Sequence, residues 1–162
     1  MEVLLDRLIL LHADDEKTNV LASFPVEKDF DSLELVYAYE PKGYDDAGAA
    51  RRMIEACVRR CVPEEYRRNL EPLDRFLPSV KSLVTLSLDY NGRYLGCAHR
   101  HAPQQRHIIS ANFSSPGFLR QPARAGNWRV VLNVHAVVSR ELRCHLQVLG
   151  REGNERDTLQ MF

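Results

Sequence analysis

The sequence predicts a mainly β fold, an antiparallel β-sandwich of the jelly-roll kind with one inserted α-helical segment. Short apolar runs recur from Ser79 onward, turn residues separate them, and Asn91-Gly92 joins two of them as in a tight hairpin. The expected strands of this region are 83–90, 94–99, 106–111, 128–138 and 142–149. Evenly spaced short strands of this kind are typical of sandwiches.

The N-terminal region adds further strands. In Ser32–Tyr39 every second residue is a leucine or a tyrosine, which is the period of a half-buried strand, and Asn19–Val26 is expected to be the strand before it. The opening segment Val3–His12 is apolar enough to be a buried strand or a short helix, and residues 13–17 are typical of a turn.

A helical insertion is expected around residues 45–70. Asp45 or Asp46 is placed to cap a helix whose apolar residues repeat at intervals of three and four through Cys61. Pro63 ends this helix or opens a further short one. The apolar positions expected to face inward are 49, 50, 53, 54, 57, 58 and 61.

Length and composition predict one globular domain over residues 1–150, followed by a polar tail over 151–162. No apolar run is long enough to span a membrane, and the start lacks the features of a secretory signal, so we expect a cytoplasmic protein without a membrane partner. The four cysteines form no CxxC motif. We expect them to be reduced and mostly buried, which agrees with the cytoplasm.

Charge is distributed unevenly although 22 basic residues balance 22 acidic ones. Residues 1–50 hold four basic and twelve acidic side chains, whereas residues 91–150 hold eight arginines and the single acid Glu141. A basic half could meet an acidic partner or a phosphorylated ligand, but no lysine cluster or aromatic platform accompanies the arginines, so we expect no nucleic-acid partner. We expect the two halves to neutralise one another within the fold.

The main candidate site is the tripeptide His99-Arg100-His101. On a strand, two imidazoles two residues apart project to one face, as an anion or a metal ion would require, and His107 begins the next expected strand. A zinc site needs three or four ligands, and no motif supplies the rest, so no metal and no cofactor is expected. The predicted small-ligand site, for an anion or a carbohydrate, consists of Arg93, His99, Arg100, His101, Arg106 and His107.

Other candidates for chemistry are weaker. His135 and His145 lie among apolar residues and are expected to be structural histidines, one or both facing the core. Cys97 and His99 could share a strand face, but no GxSxG motif, paired carboxylates or glycine-rich phosphate loop is present. Trp128 is expected to be buried between sheets rather than to stack on a sugar. An enzyme would require a constellation assembled from distant positions.

One stretch of motifs resembles a known family. Residues 86–96, then Ile108-Ile109-Ser110, Ser115-Pro116-Gly117-Phe118 and 125–132 follow in an order similar to the small β-sandwich domain that precedes the catalytic domain of some bacterial phosphoesterases of the polymerase-and-histidinol-phosphatase type. That domain is itself similar to bacterial pre-peptidase sandwiches. The likeness covers residues 18–40 and 82–150 and contains none of the catalytic domain. It implies a jelly-roll-like accessory or binding module that is not a hydrolase.

Taken together, the sequence predicts a non-catalytic binding or assembly module. The expected partner is a protein, including a second copy of the chain, because edge strands of a sandwich can pair with further strands. The alternative is a small-ligand or metal-binding domain that uses the histidines and arginines around residue 100.

Overall fold

A computed structural model describes residues 1–153 and contains two four-stranded antiparallel sheets, which confirms the predicted β-sandwich. The strands are β1 (Glu2–Leu11), β2 (Thr18–Val26), β3 (Ser32–Glu40), β4 (Leu83–Tyr90), β5 (Arg93–Ala98), β6 (Gln104–Ser110), β7 (Gly126–Ala136) and β8 (Leu142–Arg151). The helices are α1 (Ala47–Cys61) and α2 (Glu64–Arg67), and 3-10 turns span Ala13–Asp15 and Leu73–Ser79.

The strand order is that of a jelly roll. Sheet A has the order β1-β8-β3-β6, and sheet B has the order β2-β7-β4-β5. The antiparallel pairs β4–β5, β3–β6, β2–β7 and β1–β8 are nested around one central hairpin, as in a long hairpin that is rolled into two sheets. The nested pairing brings the two ends of the chain's strand region together at one edge of sheet A.

The core lies between the sheets and is built from alternate residues of each strand. Leu33, Leu35 and Leu146 of sheet A are fully buried, as are Leu132 and Trp128 of sheet B. The indole of Trp128 packs 4.6 Å from the Tyr90 ring and donates through Nε1 to a backbone carbonyl 3.0 Å away. The expectation that this tryptophan is buried is confirmed.

The backbone conformation decides two local predictions, one for the opening segment and one for the Asn91-Gly92 turn. The opening segment is the strand β1 and not a helix. Asn91 and Gly92 have φ angles of 48° and 80°, so both central residues of the β4–β5 turn are in the left-handed region, which is the conformation of the tight hairpin turn that Asn-Gly favours. The predicted hairpin is therefore confirmed.

The helical insertion lies between β3 and β4, as predicted, and Asp46 caps α1 by accepting from the Ala49 amide at 2.9 Å. Its inward face is narrower than the sequence pattern indicates, because only Ala50 and Ile54 of α1 are buried. The helix contacts the turn Leu73–Ser79 more than it contacts either sheet. The insertion therefore packs mainly on itself, and most residues of α1 remain exposed to solvent.

The cysteines correct one prediction. Cys57 and Cys61 on α1 are exposed, Cys97 is half-buried, and Cys144 alone among the four is buried. The expectation of mostly buried thiols was wrong, since the apolar stripe of α1 has no sheet to pack on. All four are free thiols, as expected, and burial raises the pKa of Cys144 to about 11.

The acidic and basic halves pair with each other. Glu34 on β3 binds the guanidinium groups of Arg106 and Arg151, and Asp29 binds Arg124. These contacts join N-terminal acids to C-terminal arginines across neighbouring strands and loops, so the expected neutralisation within the fold is present.

The C-terminal boundary is partly visible. Arg151 is the last residue of β8, so the sheet extends one residue into the predicted polar tail, and residues 154–162 of that tail lie outside the described residues. Within residues 1–153, no helix combines the length and the apolar character that crossing a membrane requires.

Candidate functional site

Two of the predicted site residues come together at the end of β5. His99 and His101 lie in the exposed loop after this strand, with ring centroids 6.1 Å apart. The ring of His135, on β7 and on the outer face of the same sheet B, is 5.5 Å from that of His99, and its Nε2 is 3.0 Å from Thr85 Oγ1. We call His99, His101 and His135 the imidazole cluster.

His135 was not among the predicted ligand residues, and the reason is strand parity. Trp128, Val130, Leu132 and Val134 point into the core, so the odd residue His135 points outward. His145 is also on an outer face, where its Nε2 is 2.7 Å from Asp6 Oδ1. The expectation that one or both of these histidines face the core was wrong, although alternation within each strand could have assigned the faces.

His107 is the histidine that lies inside the sandwich. It is 2 % exposed, because β6 alternates so that Gln105, His107 and Ile109 face the opposite sheet. Its Nε2 is 3.1 Å from Gln105 Oε1, its ring packs 5.2 Å from that of Phe118, and its Nδ1 has no hydrogen-bond partner in the described part of the chain. The tertiary structure therefore separates His107 from the imidazole cluster.

Because His107 is buried, the stability of the fold depends on pH. Desolvation, with a smaller contribution from the charge of Arg100, lowers the pKa of this imidazole to about 4. Between pH 4 and 6.5 the unfolded chain binds a proton that the folded protein excludes, so stability falls as pH drops through this window. From pH 7 to pH 5 we expect His107 to lower the free energy of unfolding by about 2 kcal/mol.

Urea unfolding at both pH values measures this loss. The variant His107→Leu should lose the contribution of this group, whereas the control His145→Gln, at an exposed position, should keep it. An identical pH dependence in wild type and His107→Leu would show that another group is responsible.

The predicted arginines do not converge on one point. Arg106 lies on the outer face of sheet A, where it is held by Glu34. Arg93 is an exposed residue at the opposite end of β5 from His99, next to the hairpin turn. Only Arg100, between His99 and His101 in the chain, adjoins the imidazole cluster. The six predicted residues are thus divided among four places in the fold.

Metal binding finds no support in the arrangement of donor atoms. No group of three or more histidine, cysteine, aspartate or glutamate side chains in the described residues is placed to hold a metal ion. In the imidazole cluster, Nε2 of His135 already shares a hydrogen bond with Thr85.

A second candidate feature is the open edge of sheet A. The free side of β6 is covered by the following loop through Ser115 N to Ile108 O at 2.9 Å, and the free side of β5 is covered through Leu119 N to Leu95 O at 2.7 Å. Among the described residues, β1 has no such cover and pairs along its length with β8 only. An uncovered strand of ten residues presents unpaired backbone groups that can pair with another chain.

Apolar side chains reinforce this edge. Val3, Leu8 and Leu10 of β1 are 59 %, 65 % and 47 % exposed, and all three face outward from sheet A. The edge strand of sheet B, β2, carries one exposed leucine and contains Pro25, which lacks a backbone N–H. The β1 edge is therefore the more suitable of the two open edges for strand pairing.

The sequence matches no protein-family model, and a search of curated proteins gives no match.

Proposed function

We propose that this protein is a non-catalytic assembly module that forms a two-fold dimer through β1. The observation that carries the proposal is the β1 edge, which no residue within 1–153 covers, with its three exposed aliphatic side chains. A β1–β1 contact would join two copies of sheet A into one continuous eight-stranded sheet. The resemblance to accessory sandwich domains supports a role without catalysis.

Strand parity supports a second copy as the partner. In an antiparallel pair, residues directly opposite each other lie on the same face of the sheet. Pairing centred on Ile9 would set Leu8 opposite Leu10 of the second copy, and Leu10 opposite Leu8. Each copy then contributes the same surface to the contact, as a two-fold interface requires, and the contact shields the exposed leucines from water.

The test is light scattering coupled to size exclusion. Wild type is expected to be a dimer, and Leu8→Lys is expected to be a monomer, because each lysine would stand opposite Leu10 of the other copy, where it removes an apolar contact and adds a second positive charge to the same small interface. The control Leu21→Lys changes a leucine on β2 that is 55 % exposed, against 65 % for Leu8, and should leave the dimer intact. A wild-type protein that remains monomeric at high concentration and low salt would refute the proposal.

The second candidate function is binding of a small anion at the imidazole cluster, favoured by the proximity of three histidines and Arg100. Titration with inorganic phosphate, followed by calorimetry, tests it. His99→Ala and His101→Ala should each abolish the binding heat, whereas His145→Ala should not. Equal heats in all variants would exclude this site.

A cytoplasmic location remains part of the proposal. All four cysteines are free thiols, and thiols stay reduced in that compartment.

A further inference from the structure

A cavity of about 380 Å³ opens on the outer face of sheet B beside the β4–β5 hairpin. Three of its lining residues stand in one row across adjacent strands, since Ser23 pairs with Arg129 and Arg129 pairs with Asp89. Tyr94 of β5 lies opposite Asp89 and extends the row with an aromatic ring that is 58 % exposed.

The polar groups of this row are held in place but retain bonding capacity. Arg129 Nε donates to Asp89 Oδ2 at 2.8 Å, and a second N–H of the same guanidinium reaches that oxygen. Asp89 is only 8 % exposed, yet its other oxygen, Oδ1, accepts no hydrogen bond within residues 1–153. The Ser23 hydroxyl and the Asn127 carboxamide also have no hydrogen-bond partner in the described chain.

The chemistry of this row favours a neutral, hydroxyl-rich ligand. Asp89 and Arg129 neutralise each other, so the cavity offers an acceptor and donors in fixed positions without a net charge to attract an ion. Adjacent hydroxyl groups of a sugar can donate to the carboxylate and accept from the guanidinium. An exposed tyrosine ring beside such groups offers an apolar face to the C–H side of the sugar ring.

We propose that this cavity binds a carbohydrate, with Asp89 and Arg129 contacting its hydroxyl groups and Tyr94 packing on its ring. A few convergent polar groups beside an apolar surface are typical of small-molecule sites. The cavity lies on the opposite sheet from β1, so the proposal is independent of dimer formation.

A larger cavity of about 870 Å³ elsewhere on the surface differs in charge, because three carboxylates and one guanidinium line it. Each carboxylate has a partner, since Asp29 binds Arg124, Asp31 accepts from the Gly153 amide at 2.7 Å and Glu152 binds Lys28 at 2.7 Å, but the excess of negative charge makes this cavity less suited to a neutral ligand.

The test uses NMR chemical shifts of the backbone amides of Ser23, Asp89 and Arg129, because these three residues line the proposed cavity. Methyl glycosides of glucose, galactose and mannose, together with cellobiose and maltose, are titrated at millimolar concentration against wild-type protein while these amide chemical shifts are recorded. Inorganic phosphate is titrated in parallel. We expect at least one saccharide to shift these amide resonances in a saturable way and phosphate to leave them unchanged.

Variants then locate the binding. Tyr94→Ala, at an exposed position that should not affect folding, is expected to weaken saccharide binding about tenfold, and Asp89→Asn should weaken it further. Tyr66→Ala removes an equally exposed tyrosine from the helical insertion and should bind as wild type does. The proposal is overturned if no saccharide shifts these resonances, if phosphate alone does, or if Tyr94→Ala binds with wild-type affinity.

Discussion

Replacing Gly96 by alanine is expected to lower the free energy of unfolding by about 4 kcal/mol, from about 2 kcal/mol of backbone strain and about 2 kcal/mol of steric overlap. Gly96 has a φ of 133°, which side chains rarely allow. A Cβ there would lie 2.1 Å from the Gly117 carbonyl oxygen and 2.9 Å from Phe118 Cα. Both neighbours are backbone atoms of the segment that covers the edge of β5, so they cannot move aside without breaking that cover.

Gly43→Ala is the matched control for this prediction. Its Cβ would meet nothing within 4 Å, and its φ is not in the left-handed region, so the substitution should be neutral or stabilising by about 0.5 kcal/mol. Urea unfolding followed by circular dichroism measures both variants. Similar stabilities for Gly96→Ala and Gly43→Ala would mean that the crossing of β5 with residues 117–119 is looser than described.

The second large effect is expected at Glu34, whose side chain is 3 % exposed between Arg106 and Arg151. In Glu34→Gln, two guanidinium groups face each other without a carboxylate, and removing one partner of a buried ion pair costs about 3–5 kcal/mol. We expect about 3 kcal/mol, the lower end, because the side chains of Arg106 and Arg151 are 36 % and 30 % exposed and remain partly solvated.

Glu141→Gln provides the control, since the same substitution breaks an exposed pair with Arg143 at 2.9 Å and should change stability by less than about 1 kcal/mol. The double variant Glu34→Gln/Arg106→Gln should be less destabilised than the sum of its single variants, because the unpaired charge is then reduced. Equal losses in Glu34→Gln and Glu141→Gln would contradict a structural role for the Glu34 contacts.

This role of Glu34 changes the interpretation of Arg106. The sequence places an arginine beside a histidine at the start of an expected strand, and that pattern alone suggests a ligand site. The sheet register shows that Arg106 lies opposite Val36 and next to Glu34 on β3, which is more than 60 positions away in the chain. Such a partner cannot be found from local spacing, because the pairing of β3 with β6 is a long-range event.

The histidines show the same difference between what local spacing reveals and what strand pairing decides. His99 and His101 could be recognised as neighbours because only one residue separates them. His135 joins them because β4 lies between β5 and β7, so that the end of β5 and the end of β7 share one corner of sheet B. His107 is separated from them because its strand, β6, belongs to sheet A and its odd-numbered residues face the core.

Local patterns were sufficient for the sandwich class, the Asn91-Gly92 hairpin, the α1 insertion and the burial of Trp128, because alternation, turn residues and caps act between residues close in the chain. The nested strand order, the uncovered β1 edge, the pairing of Glu34 with two arginines and the cavity beside Asp89 were decided by tertiary structure. Each of these depends on which strands become neighbours, and that choice is made by the burial of apolar faces from all eight strands at once.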